Sequence, residues 1–422
     1  MEKIFILIES SSTGTGLAMI KKLYEQGYSP WVISNNPGRF DFPDIPQLRL
    51  LHVDTNDESR LIEFLLQHER RDEFVGVSTV YDFYVPAVAA VARALALPGP
   101  HVDSARRARH KHNQRTVFAH HGLPQPKFAV CSTVDEALSA SREIGYPLVC
   151  KPVSGAGSVG VKYITSDDEL NVHAGTWLSR TETHRGVPIQ QKVLLEEFVC
   201  APEVSIEVFD GMAVAVCDKF VSPLPVFLEV GHEVPSALPS DLAQSACKLA
   251  EDAVKALGLD WGCCHVELHV TRDGLSVIEV NQRIAGDLIP LLVEEATGVD
   301  LLSAAILKAV GVTPSLNGTR NRVSRIAFLV SGEIPSAIRD TFETIVAEGG
   351  ALDAHLGMDH GKGLHYGDSR DRIGHLIVSG PSRSSVRDNL NKLLVKLSGK
   401  ERVLASPSHS DQPRYASACN VS

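Results

Sequence analysis

The sequence predicts an α/β protein that opens with a doubly wound parallel sheet and ends in a small α/β unit. Three observations predict it. Up to about residue 100, apolar strand-like runs alternate with amphipathic stretches, the pattern of parallel strands joined by crossover helices. Further on, His265-Val-Glu267-Leu and Val-Ile-Glu279-Val-Asn281-Gln-Arg283 alternate apolar and polar residues around Asp273-Gly274, which reads as a β-hairpin. From about Val323 the strand and helix patterns start again.

In chain order, residues 3–8 read as a buried strand. Ser10 to Gly16 read as a Gly-rich turn, Leu17 to Gln26 as a helix, Trp31 to Ser34 as a second strand, and Phe74 to Thr79 as a third or fourth. The turn is not a clean GxGxxG, and no ribose-binding acid ends the second strand, so it reads as a tight strand-to-helix turn rather than a cofactor fingerprint. The pattern changes near Leu97-Pro-Gly-Pro100. A basic helix is expected over 103–121, with Arg106, Arg107, Arg109, Lys111 and Arg115. Ser132 to Glu143 is expected to be a helix capped by Ser132 or Thr133, with Asp135 and Glu136 in its first turn. Tyr146 to Pro152 should be a strand running into a Gly-rich loop, 191–221 strands, and 239–257 an amphipathic helix ending at Gly258. Ser324 to Val330 and His375 to Val378 read as strands, and Ser384 to Leu397 as a helix. The polar tail after about 405 shows no period and reads as disordered.

Composition limits the function classes. The 422 residues suffice for about two to four domains. Apolar content of 44% and charged content of 22% are ordinary for a soluble globular chain. A net charge of −10 argues against bulk nucleic-acid binding, and no apolar run is long enough to span a bilayer. The N-terminus has neither a basic leader nor a small-residue cleavage site. Eight scattered cysteines, with Cys263-Cys264 adjacent and no CxxC, read as reduced buried thiols of a cytoplasmic protein rather than zinc ligands.

Chemistry concentrates in three segments. The hairpin sets Glu267, Glu279 and the Asn281 amide side by side, a cluster of hard oxygens suited to Mg²⁺ and leaving room for phosphate. In Lys151-Pro-Val-Ser154-Gly155-Ala-Gly157-Ser158-Val-Gly160, a lysine ends a strand and a loop of small residues can close its N–H groups on phosphate, although the order is not that of a P-loop. In Leu195-Glu196-Glu197-Phe198-Val199-Cys-Ala-Pro-Glu203, an apolar strand runs into acids that could serve a purine and a ribose, or could be solvated acids at a strand end.

Lys111, Lys151 with its loop, Glu196 to Glu203, Glu267 and Glu279-x-Asn281-x-Arg283 occur in an order and spacing that resembles the ATP-grasp superfamily, directly over about 100–310. The resemblance implies an ATP-grasp fold divided as 1–100 (N-terminal α/β domain), 101–190 (small lid subdomain), 191–320 (large subdomain with the metal hairpin) and 321–405 (C-terminal α/β subdomain), before the tail at 406–422. It implies ATP and Mg²⁺, the latter as two ions, as cofactors. Lys111, Lys151 and the loop residues Ser154, Gly155, Gly157, Ser158 and Gly160 would meet the phosphates. Glu196, Glu197, Phe198 and Val199 would line the adenine site, and Glu203 would take the ribose hydroxyls. Glu267, Glu279 and Asn281 would bind metal, and Arg283 and His265 are the catalytic candidates, with His265 beside the phosphate or a plain strand residue. The basic stretch at 106–115 then reads as a solvated helix face presenting Lys111 to ATP rather than an RNA surface.

Phe227-Leu-Glu229-Val-Gly231-His232 and Arg283-Ile-Ala-Gly286-Asp287 are similar to the bacterial L-amino acid ligases, which form dipeptides and pieces of peptide antibiotics. By that resemblance Glu229, His232, Arg283, Gly286 and Asp287 line an amino-acid pocket, with His232 as a core histidine the plain alternative. Asp287 stands where a dipeptide ligase of that family carries a bulky aromatic; an acid there would leave more room and favour an amino-bearing substrate such as a diamino acid. The expected function is a carboxylate–amine ligase working through an acyl phosphate on small-molecule acids and amino acids, a homodimer, with neither nucleic acid nor membrane as partner. A biotin-carboxylase-like or purine-biosynthesis enzyme is the alternative within the superfamily, and a nucleotide-binding regulatory module a different class, against which the complete metal set argues.

Overall fold

The computed structural model describes residues 2–155, 157–183, 186–224, 226–358 and 369–399. The polar tail lies outside the described residues. The N-terminal sheet comprises β1 (Ile4–Ile8), β2 (Ser29–Ser34), β3 (Arg49–His52) and β4 (Phe74–Ser78), all parallel, in the order β3-β2-β1-β4. Helices α1 (Gly14–Glu25), α2 (Glu58–Gln67) and α3 (Val85–Ala94) cross over it. The doubly wound expectation holds. β3 escaped the sequence reading because it is a half-exposed edge strand whose two leucines make no period.

The expected basic helix is two helices, α4 (Val102–Ala108) and α5 (Lys111–His120), because His110 is extended, at φ −106° and ψ 125°. The break puts Lys111 in the first turn of α5 with its N–H on the Val153 carbonyl at 3.2 Å. A second sheet follows in the order β5-β8-β6-β7, with β5 (Phe128–Cys131), β6 (Leu148–Pro152), β7 (Lys162–Ile164) and β8 (Val193–Glu197). Helices α6 (Val134–Ile144) and α7 (Asp167–Leu178) cover it; Thr133 caps α6 by accepting from the Glu136 N–H, and Ser166 caps α7 through Glu169.

The third sheet is antiparallel, in the order β13-β12-β9-β10-β11-β14-β16-β15. Its strands are β9 (Glu203–Phe209), β10 (Met212–Val221), β11 (Glu229–Val234), β12 (Cys263–Thr271), β13 (Gly274–Asn281), β14 (Val323–Val330), β15 (Asp353–Leu356) and β16 (Arg372–Gly380). The C-terminal strands thus have no sheet of their own; they extend the sheet that carries the metal hairpin. Helix α8 (Ser240–Leu257), closed by left-handed Gly258, packs Ala246, Ala250 and Leu257 on β9 and β12. α9 (Ile289–Thr297) and α10 (Leu301–Ala309) join this sheet to the N-terminal one in a shared core that includes Phe5, Ile20, Leu292, Ile306 and Phe328. α11 (Phe342–Glu348) and α12 (Arg383–Ser398) cover β14 and β16.

Among the described residues six cysteines are free thiols. Cys200 is disulfide-bonded, which corrects the expectation that all are reduced. No described helix is long and apolar enough to cross a membrane.

Candidate active site

One cavity of about 840 Å³ runs between the three sheets and touches most of the residues singled out in the sequence. At one end Val149, Val161, Phe198, Val199 and Phe227 make an apolar slot, with Phe198 edge-on to Tyr163 at 4.8 Å between ring centroids. Lys151, Glu196, Glu197 and Glu203 rim it. Glu196 is turned inward: it accepts from Arg115 Nε and Lys151 Nζ, both at 2.6 Å. Burial alone would raise its pKa, but the two cations outweigh that and hold it at about 2. Glu196 therefore positions Lys151, while Arg115 also reaches the Val277 and Ile278 carbonyls and ties α5 to β13.

The Gly-rich loop leaves β6 between these cations. Arg109 donates to the Ser154 carbonyl at 2.8 Å and stacks over Phe83 at 4.4 Å, while the Ser154 hydroxyl meets His110 Nδ1 at 3.2 Å. Gly160 has φ +81°, and a Cβ there would lie 2.2 Å from Trp177, so the turn needs glycine. Gly155, Gly157 and Ser158 line the cavity.

In the hairpin, Glu267 lies opposite Glu279 and His265 opposite Asn281. The Asn281 amide donates to Glu279 at 2.8 Å, and Lys111 Nζ donates to the other Glu279 oxygen. Glu267 accepts from Lys219 Nζ at 2.6 Å and faces His265 Nε2 at 3.3 Å. His265 Nδ1 meets Glu207 at 2.8 Å. Burial alone would lower the His265 pKa, but Glu207 and Glu267 raise it to about 10, so it is an imidazolium.

Lys219 was not singled out in the sequence. It comes from near the end of β10, is buried, and binds Glu203 at 2.9 Å and Glu229 at 3.0 Å as well as Glu267. Burial opposes its charge, yet the three carboxylates keep it well above the usual lysine range. The adjacent Asp218-Lys219 in the otherwise apolar 212–221 run was the available signal. Asp82 was also missed. It follows β4 at the carboxyl end of the parallel strands and holds Arg283 through two hydrogen bonds, 2.6 Å from Nε and 3.1 Å from Nη2.

The far end of the cavity gathers Glu229, His232, Gly286 and Asp287. His232 Nε2 lies 3.2 Å from Asp287. Both Asp287 oxygens accept from Arg372, at 2.7 and 2.9 Å. Arg372 had no sequence signal.

The ATP-grasp domain family matches residues 144–290, from the strand before the Gly-rich loop to the start of α9. The chain thus carries an ATP-grasp domain and is similar to ligases of that kind. The Sinorhizobium fredii protein y4rH is 29% identical over 387 residues, 91% of this chain and 80% of that protein. The alanine–anticapsin ligase of Bacillus subtilis is 27% identical over 285 residues; the match covers 62% of this chain and 59%, less than two thirds, of that ligase. An L-amino acid ligase structure from Bacillus licheniformis shares the fold, with TM-score 0.76 and 22% identity over 93% of this chain and 97% of that one.

ATP-grasp enzymes use ATP with Mg²⁺, and the donor set here fits that ion. The Glu267 and Glu279 carboxylates face each other across one hairpin, each already drawing a lysine ammonium into the place where positive charge is stabilised. In this ATP-grasp cavity Lys111, Lys151 and Lys219 converge from three different elements on the space between the slot and the hairpin.

Proposed function

We propose that the protein joins a carboxylic acid to the amino group of an amino acid, using ATP. The observation that carries this is the continuity of the cavity: the end read as the nucleotide and metal site passes into a second charged end through Lys219, which touches Glu203, Glu267 and Glu229 at once. Lys111, Lys151 and the loop 154–160 hold the triphosphate, the slot around Phe198 takes adenine, and Glu203 takes the ribose. Glu267, Glu279 and Asn281 hold two Mg²⁺ ions, which supply charge neutralisation on the phosphates.

Phosphoryl transfer depends on positioning and charge compensation rather than on a covalent enzyme nucleophile. An oxygen of the substrate carboxylate attacks the γ-phosphorus, the bond to ADP breaks, and an acyl phosphate forms. The amine lone pair then attacks the carbonyl carbon, the bond to phosphate breaks, and the nitrogen gives up a proton. Arg283, held in place by Asp82, stabilises the charge on the acyl phosphate and on the tetrahedral species that follows. His265, as an imidazolium, orients Glu267. The closed loop excludes water, which would hydrolyse the acyl phosphate. Similarity to an alanine–anticapsin ligase supports a dipeptide-like product of specialised, antibiotic-type metabolism. Its ATP demand supports a cytoplasmic place.

The test is phosphate release from ATP and Mg²⁺ over pairs of amino acids and small dicarboxylic acids, with products weighed by mass spectrometry. Release confined to a particular pair, with a product one water lighter than its parts, is expected. Release with bicarbonate alone would replace the reading with a carboxylase; release with no pair would overturn it.

A further inference from the structure

We infer that a second cleft, at the carboxyl ends of the N-terminal parallel strands, binds an amino acid or a short peptide. It takes the free carboxylate at Arg39 and the free ammonium at Asp54. The inference goes beyond the ligase reading and does not depend on it. The cleft holds about 860 Å³ and shares no lining residue with the main cavity. It opens where a doubly wound sheet places ligands, outside the ends of β1, β2 and β3 and beside the turn after β4.

Arg39 is fixed at this cleft by two neighbours. Glu9, directly after β1, is fully buried and holds a left-handed φ of +58°, strain that a residue other than glycine keeps only where its surroundings impose it. It accepts from the Asn35 N–H at 2.9 Å, from the Thr55 hydroxyl at 2.6 Å and from Arg39 Nη2. The Arg39 guanidinium also lies over the Phe40 ring, 4.9 Å from its centroid, and Phe40 stacks on Phe42. Glu9 and Phe40 thus set the guanidinium plane while using one of its nitrogens. Among the described residues Nε and Nη1 have no hydrogen-bond partner. The Arg39 side chain stays 23% exposed against 0% for Glu9, so the pair is not sealed and the arginine keeps donors for a ligand.

The charges choose that ligand. Glu9 already balances Arg39, and Asp54 adds a further negative charge to the same wall. One Asp54 oxygen accepts from the Asn56 N–H at 3.1 Å, and among the described residues no cation pairs with it. A bare anion would meet net negative charge here, whereas a zwitterion brings its own cation and leaves the charge count unchanged. Ser12, Asn35 and Asn36 add neutral hydroxyl and amide groups to the wall, and His52 Nε2 lies 3.1 Å from the Asn35 carbonyl. Helix α1 begins at Gly14 with no side-chain cap and no acid in its first turn, so its positive end also favours the carboxylate. An occupant touches two elements that border the active cavity. Tyr81 directly precedes Asp82, and Gly186, whose carbonyl accepts from Asn56 Nδ2 at 3.0 Å, comes from the segment after α7.

The test is an NMR titration of the full chain, without nucleotide, that reads the His52 imidazole signal, assigned by its loss in His52→Gln. The probes are the proteinogenic amino acids and glycylglycine, their carboxamides, their N-acetyl derivatives, and inorganic phosphate. At least one amino acid, or glycylglycine, should shift the signal saturably. Its carboxamide and its N-acetyl derivative should each bind about 10-fold more weakly, the loss of one charge-assisted contact. Asp54→Asn is an exposed change that leaves Glu9 and Arg39 in place, and it should bring the unblocked probe level with the N-acetyl one. Arg39→Gln, which keeps a donor for Glu9, should bring it level with the carboxamide. A lower midpoint for amino acids than for glycylglycine assigns the site to amino acids, and the reverse to peptides. No saturable shift, equal binding of blocked and unblocked probes, or tightest binding by phosphate or an N-acetyl amino acid overturns the inference. With no nucleotide present, these outcomes stand whichever substrate pairs release phosphate.

Discussion

The two ends of the cavity are built differently. At the metal end, Glu267, Glu279 and Asn281 come from one hairpin, and the strand register alone brings the two carboxylates face to face. At the substrate end, Glu229, His232, Asp287 and Arg372 come from β11, the turn before α9, and β16. No local register relates them; they meet because the eight-stranded sheet places β14 between β11 and β16. The first end is a local device that any chain with the hairpin would carry. The second depends on how the rest of the chain is folded.

The comparison can be broken most forcefully at the metal end. Glu279→Gln removes one charge of the donor set and should lower turnover by about 10³-fold while nucleotide still binds weakly. Steady-state phosphate release together with nucleotide calorimetry checks this, and near-normal turnover would remove Glu279 from the metal site. A smaller effect should come from Asp82, which belongs to the tertiary assembly. Asp82→Ala frees Arg283 and should lower kcat roughly 10- to 100-fold with the KM for ATP within about threefold. An effect on the ATP KM alone would mean that Arg283 serves the nucleotide instead of the reacting acid.

The smallest effect concerns His265, which lies on β12 beside Glu267. Its folded pKa is raised from 6.5 to about 10, so its contribution to stability is complete below about pH 6.5 and is lost as pH rises through 10. Denaturant midpoints of the metal-free protein, held in chelator, should fall over that window, and His265→Gln should flatten the fall. An equal slope in both proteins would assign the pH dependence to other groups.

Particular residues show what was legible beforehand. The Glu267–Asn281 hairpin, the loop after Lys151 and the capped helix at Thr133 were readable because turn chemistry, alternation and capping are local properties of the chain. The inward turn of Glu196 was not: its neighbours in sequence say nothing of Arg115, which lies in another helix. Nor was the break at His110, since residues 102–120 carry no glycine or proline to announce it. The Asp287 acid was visible, but its commitment to Arg372 was not.

The sequence by itself determined the fold class and the hairpin that carries Glu267 and Glu279, because each follows from interactions within a few turns or strands of neighbouring chain. Only the tertiary structure decided that Lys219 joins three carboxylates, that Asp82 holds Arg283 and that Arg372 sits in the substrate wall. Those pairings join side chains from different strands and turns, and a charge buried in one element has its partner chosen by packing, which no spacing along the chain encodes.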